Sequence, residues 1–158
     1  MIRRVAVVVP LLLALALSAR TCGRESCTVD EFGNLPLTVA YWQPGALHID
    51  PGNPPLTRWI QGLPWLTGKP DLGVTRGELD AISTSWDLGY RFETAHRDDY
   101  HALLVRARAG SVALLLLAVL GVWRLARDLA GPRAALAAAL VAAASPNLIA
   151  HGRLVTPD

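Results

Sequence analysis

Apolar residues fall in three blocks along this chain, and a long polar, aromatic stretch separates the first block from the second. The first block runs from Val5 to Ala19, behind the basic start Met1-Ile2-Arg3-Arg4. The second, Ala109 to Trp123, follows Arg106 and Arg108, and the third covers Ala134 to Ala150. Apolar runs flanked by arginine have the pattern of helices that cross a bilayer. The first block is short of the ~20 residues usual for a span, but arginines at both ends extend its reach by snorkelling. Taken alone it also fits a signal peptide, with Ala16-Leu17-Ser18 as a cleavage site. The two later blocks favour an uncleaved first helix. Gly131-Pro132, inside the basic stretch Arg124–Arg133, marks a turn between the second and third helices.

Between Arg20 and His101 the chain is rich in Gly and Pro and holds Trp42, Trp59, Trp65, Trp86 and all three tyrosines. Indole and phenol rings favour the boundary between membrane and water, so this stretch is expected to lie on the bilayer as a loop. Thr28-Val29-Asp30-Glu31 has the spacing of a capping box, which places Asp30 and Glu31 in the first turn of a short helix. Leu56, Trp59, Ile60 and Leu63 have helical spacing, and Pro54-Pro55 fixes where that second helix begins. Both are expected to be interfacial helices.

Composition agrees with this layout. Of 158 residues, 52% are hydrophobic and only 18% charged, and the mean hydropathy is +0.32. A net charge of +2 is too small to argue for a nucleic-acid partner. Cys22 and Cys27 lack the companions of a zinc site, so no metal centre is expected. In an extracytoplasmic segment they either close a short disulfide loop or remain thiols. His48 and Asp50 are isolated, and Asp98-Asp99 reads as solvated loop beside His96, Arg97 and His101. The basic N-terminus and the 124–133 turn must share a side if three helices cross, and the positive-inside rule puts both in the cytoplasm. The expected fold is therefore mainly α and multi-pass. Its first transmembrane helix is at 1–20, and a long extracytoplasmic loop with interfacial helices covers 21–107. Helices two and three follow over 108–150, and a second outer loop begins at 151–158.

Three stretches carry a resemblance. Thr28-Val29-Asp30-Glu31 resembles a T-x-D-E motif, and Asn53-Pro54-Pro55-Leu56-Thr57-Arg58 resembles an H-P-P-L-x-K corner. The tail from Ser145 to Asp158 is similar to S-P-x-L-x-A-H-x-x-L-x-x-x-D. Trp86-Asp87-Leu88-Gly89-Tyr90-Arg91-Phe92 adds a W-x-x-G-x-x-F pattern. In this order they resemble the N-terminal part of a GT-C fold membrane glycosyltransferase, of the protein O-mannosyltransferase-like family 39 and its bacterial relatives. Asn53 stands where that family has His, and Arg58 where it has Lys. Members are longer than this chain, so the resemblance implies a fragment that is inactive alone.

What the resemblance implies is transfer of a sugar from a polyprenyl-phosphate donor to an acceptor hydroxyl outside a plasma (inner) membrane, with inversion and without a cofactor. A hydroxyl must lose its proton as it attacks, which calls for a carboxylate base. Asp30 is the first candidate. Glu31 is either a second contributor or only the partner in the capping box, and Asp158 is a third acidic candidate. The leaving phosphate needs a cation, for which Arg58 and then Arg153 are the candidates. The competing expectation is a non-enzymatic three-pass membrane protein that binds a lipid-linked sugar or a partner protein. The acceptor is not identified by the sequence.

Overall fold

A computed structural model describes residues 7–43 and 46–157. The basic start at Arg3 and Arg4 lies outside these residues. The described chain is mainly helical: α1 (Val8–Cys22), α2 (Val29–Ala40), α3 (Pro55–Gln61), α4 (Arg76–Ala81), α5 (Ser85–Ala95), α6 (Tyr100–Ala143) and α7 (Pro146–Gly152), with 3-10 turns at Ala46–Ile49 and Leu63–Thr67. It divides into two compact units. One combines the N-terminal segment through Glu25 with Val112–Arg153, and the other combines Ser26–Ser111 with the segment from Leu154 onward.

The first unit has a small core of Ala14, Leu115, Val119, Ala139, Ala142 and Ala143. Alanine at these positions allows helix backbones to approach closely, as in membrane bundles. Its larger apolar side chains face outward: Val8, Val9, Leu12 and Leu15 on α1, and Leu117, Leu120, Leu125, Leu129 and Val141 on α6. So much exposed apolar surface is unfavourable in water and neutral in hydrocarbon. Among the described residues one helix, α6, is long and apolar enough to cross a membrane, with a mean hydropathy of 2.0 over its most apolar 18 residues. Together these features suggest a membrane protein. Helix α1 has 15 residues, ~22 Å at helical rise, which is shorter than the ~30 Å hydrocarbon layer.

Within α6 the helix breaks at Gly131 (φ 86°, ψ −178°), a backbone conformation open to glycine, directly before Pro132. The last apolar run is also divided. Helix α6 ends at Ala143, and Ser145 caps α7 by accepting a hydrogen bond from the Leu148 amide at 3.5 Å. Pro146 explains the division, because proline drives the residue before it out of the helical region and fits the first helical position.

The second unit has a core of its own, built on Leu35, Leu37, Val39, Leu79, Leu88, Phe92, Leu104 and Val155. It is a folded domain where the sequence led us to expect a loop on the bilayer. Trp65 shows why. It is 1% exposed, and its indole N–H donates to the Thr38 hydroxyl at 2.8 Å, so a buried acceptor replaces the polar boundary that indoles otherwise seek. Helices α2 and α5 pack closely through glycines. A Cβ on Gly33 would meet Ser85 Oγ at 3.0 Å, and one on Gly89 would meet the Phe32 ring at 2.7 Å and its carbonyl oxygen at 2.9 Å. Gly89 and the buried Phe92 thereby give the W-x-x-G-x-x-F pattern a packing role. Helix α6 starts well before the apolar block, because Leu103, Leu104 and Ala107 turn into this core.

Candidate active site

The site begins with the cap of α2. Thr28 has extended backbone, and its hydroxyl accepts from the Glu31 amide at 3.4 Å. The Glu31 carboxylate reaches back, its Oε2 accepting from the Thr28 amide at 3.1 Å and the Thr28 hydroxyl at 3.1 Å. This is the reciprocal box expected from the T-x-x-E spacing.

Capping uses only part of the carboxylate. Arg108, in the first turns of α6, donates from Nε to Glu31 Oε1 at 2.8 Å and from Nη2 to Oε2 at 2.6 Å. Its Nη2 also donates to the Ser26 carbonyl at 3.0 Å. The Val155 amide completes the set, donating to Glu31 Oε1 at 3.1 Å. Both charged side chains are 0% exposed. Burial pushes the Glu31 carboxyl up, but the bonds from Arg108, Thr28 and Val155 outweigh it and hold the group below its ordinary value. Glu31 is a buried carboxylate that accepts from five donors.

Asp30 differs in every respect. It is exposed and makes no side-chain hydrogen bond or ion pair among the described residues. One helical turn further along α2, Asn34 accepts from Arg58 Nη2 at 2.5 Å. The same Nη2 donates to Asp50 Oδ2 at 3.1 Å, in an ion pair whose side chains are 0% and 18% exposed. Asn53, at the position of the resembled family's His, donates to both Asp50 oxygens at 2.8 and 3.1 Å. Asp50, Asn53 and Arg58, on either side of the Pro-Pro corner, thus form one half-buried polar network in which Arg58 is the buried member. Tyr41 joins it by donating to the Asp50 carbonyl at 3.0 Å.

The segment after α7 is fixed in the same unit. Gln61, at the end of α3 and 1% exposed, donates from Nε2 to the Thr156 carbonyl at 2.8 Å and to Ser111 Oγ at 3.1 Å. Asp158 lies outside the described residues. Arg153 belongs to the other unit, where it pairs with Glu25 at 2.5 Å. Cys27 lies 3.4 Å from the Tyr100 hydroxyl, burial raises its thiol pKa, and neither cysteine is in a disulfide.

The α2 cap is as the sequence spacing requires, whereas the buried partnerships of Arg108, Asp50 and Gln61 are not among the sequence expectations. Arg108 had been grouped with Arg106 as a charge flanking an apolar block. A buried acid at a helix start needs a cation, and that need was the one signal available.

Comparison with known families gives one match. The family described as dolichyl-phosphate-mannose-protein mannosyltransferase matches over residues 101–158, which takes in α6, α7 and the clamped segment after them but less than half of the chain. The match supports a membrane glycosyltransferase of the mannosyltransferase type. Neither the curated proteins nor the solved structures gave a match.

Proposed function

We propose that the capped start of α2 belongs to the catalytic site of an inverting glycosyltransferase, which moves a sugar from a polyprenyl-phosphate carrier to an acceptor hydroxyl outside the membrane. The observation that carries this reading is the division of labour within Asp30-Glu31. Glu31 is buried against Arg108, whereas its neighbour Asp30 is exposed on the same turn. Five donors fix the turn, so Asp30 is held on rigid backbone with its carboxylate available. A base near an acceptor hydroxyl needs both properties. Glu31 is then a positioning residue, and Asp30 takes the hydroxyl proton as the oxygen attacks the anomeric carbon from the face opposite the leaving phosphate.

The departing lipid phosphate carries developing negative charge, and a cation stabilises it. Arg58 is our candidate, because Asn34 holds it one turn beyond Asp30. Its charge is already matched by Asp50, so phosphate binding would exchange one anion for another at the same guanidinium. Arg153, paired with Glu25, is the second candidate. Asp158 remains a proposed acidic contributor, carried two residues beyond the clamped Thr156.

The test is transfer from a polyprenyl-phosphate sugar by the native membrane protein carrying Asp30→Asn. Transfer should fall by about 10²–10⁴-fold, the usual worth of a positioned base, with the protein's membrane level unchanged. If transfer survives at the wild-type rate, Asp30 is not the base. Carrier binding with no transfer by the unaltered protein would favour a non-enzymatic binder of a lipid-linked sugar.

A further inference from the structure

The second unit presents another surface, which the proposed reaction does not use. Phe32 on α2 is flanked by Trp86 and Tyr90, one turn apart on α5. Its ring centroid lies 5.8 Å from that of Trp86, tilted by 32°, and 5.0 Å from that of Tyr90 in an edge-on arrangement. Phe32 therefore braces both rings, yet Trp86 remains 44% and Tyr90 63% exposed. Beside Tyr90 is a shallow cavity of about 360 Å³ lined by Glu78, Ala81, Ile82, Asp87, Tyr90 and Arg91. Arg91 Nη1 donates to Glu78 Oε1 at 3.2 Å, and Asp87 Oδ2 accepts from the Thr84 hydroxyl at 2.8 Å. Each of these polar groups keeps further donor or acceptor capacity.

Two properties of the groove select its ligand. Exposed ring surface stands next to closely spaced donors and acceptors. A sugar offers the matching pair, hydroxyls that both donate and accept around an apolar C–H face. The volume is at the lower end of small-molecule sites, ~300–1,000 Å³. Charge makes the second selection. Helices α4 and α5 carry Arg76 and Arg91 against Glu78, Asp80, Asp87 and Glu93. That acidic balance disfavours phosphate and anionic lipid headgroups.

We propose that this groove is a binding subsite for a neutral saccharide and serves the acceptor side of the reaction. Its assignment to the acceptor rests on the glycosyltransferase reading above, whereas the binding itself does not. The α5 wall of the groove, Asp87, Tyr90 and Arg91, belongs to the helix that packs through Gly33 and Gly89 against α2, which carries Asp30.

The experiment titrates the full chain in phosphatidylcholine nanodiscs with α-linked mannotriose, because sugar-headed detergents would compete. Binding is read from fluorine-labelled tryptophan, with the Trp86 signal assigned through Trp86→Phe. The expected result is a saturable shift of that signal. Tyr90→Ala should weaken the affinity about tenfold, as should Arg91→Met, which leaves the ring in place, and the exposed Leu47→Ala should leave it unchanged. Absence of a saturable shift at about 10 mM mannotriose, beyond the range of weak specific binding, overturns the proposal. So does unchanged affinity in both folded groove variants, or displacement of the sugar by an oligolysine peptide that binds more tightly. The two readings separate cleanly. Saccharide binding that persists while transfer proves independent of Asp30 leaves the subsite standing and removes the proposed base. Asp30-dependent transfer without saccharide binding does the reverse.

Discussion

Removing Arg108 should be the most damaging single change to the second unit. Arg108→Met keeps the length and apolar stem of the side chain but deletes both bonds to Glu31 and the bond to Ser26. Glu31, at 0% exposure, would retain only the donors of Thr28 and Val155 around an uncompensated charge. Breaking a buried pair in this way costs about 3–5 kcal/mol, or roughly two to four powers of ten in the folded-to-unfolded ratio. Arg108→Lys should recover part of this, because it restores the charge but not the planar two-point fork. The assay is chemical unfolding of the nanodisc-held protein, followed by the fluorescence of buried Trp65. Glu31→Gln and the double variant Glu31→Gln/Arg108→Met complete a cycle. The double variant should lose less than the sum of the two singles, since neither charge is then stranded. A loss below about 1 kcal/mol for Arg108→Met, or strict additivity in the cycle, would refute the view that the two groups depend on each other.

Other predictions follow from the same contacts. Stability should be full above the ordinary carboxylate range and decline on acidification. The folded pKa of Glu31 lies below its unfolded value, so its contribution is lost as the pH falls through that depressed value; Glu31→Gln should flatten this decline in unfolding measured from neutral to acid pH. Gly89→Ala should destabilise by about 1–3 kcal/mol in thermal unfolding, because the new methyl meets the Phe32 carbonyl, which cannot swing aside. Trp65→Phe should lose about 1–2 kcal/mol in the same assay, through the missing bond to Thr38. Gln61→Leu should selectively speed hydrogen exchange of the Val155 and Thr156 amides, and uniform exchange across the unit would contradict the clamp.

Local signals were legible in the sequence and distant partnerships were not. The Thr28–Glu31 box was read from four adjacent residues, and its geometry is as that spacing requires. The same signal recurs at Thr75–Glu78, which caps α4 in both directions, and the sequence reading passed over it. Trp65 was read by its residue type, which averages over environments, whereas Thr38 supplies a specific buried acceptor. Arg108 could not be matched to Glu31 because 77 positions separate them and no periodicity links the two. Asp50 was set aside as isolated for the same reason, although Asn53 and Arg58 both reach it.

The clamp on Val155 bears on how the protein is made. The second unit is discontinuous: residues 112–153, including most of α6, are synthesised before the chain returns at Leu154. Val155 is fully buried in this unit's core, and its amide is a ligand of Glu31, 124 positions earlier. At ~5–20 residues per second, Glu31 would wait several seconds for Arg108 and longer for Val155. During that interval its carboxylate cannot take its final place without stranding a charge. Completion of the second unit therefore waits on synthesis of the whole apolar segment, so a chain interrupted within residues 112–153 would leave the Glu31 cluster without its Val155 donor.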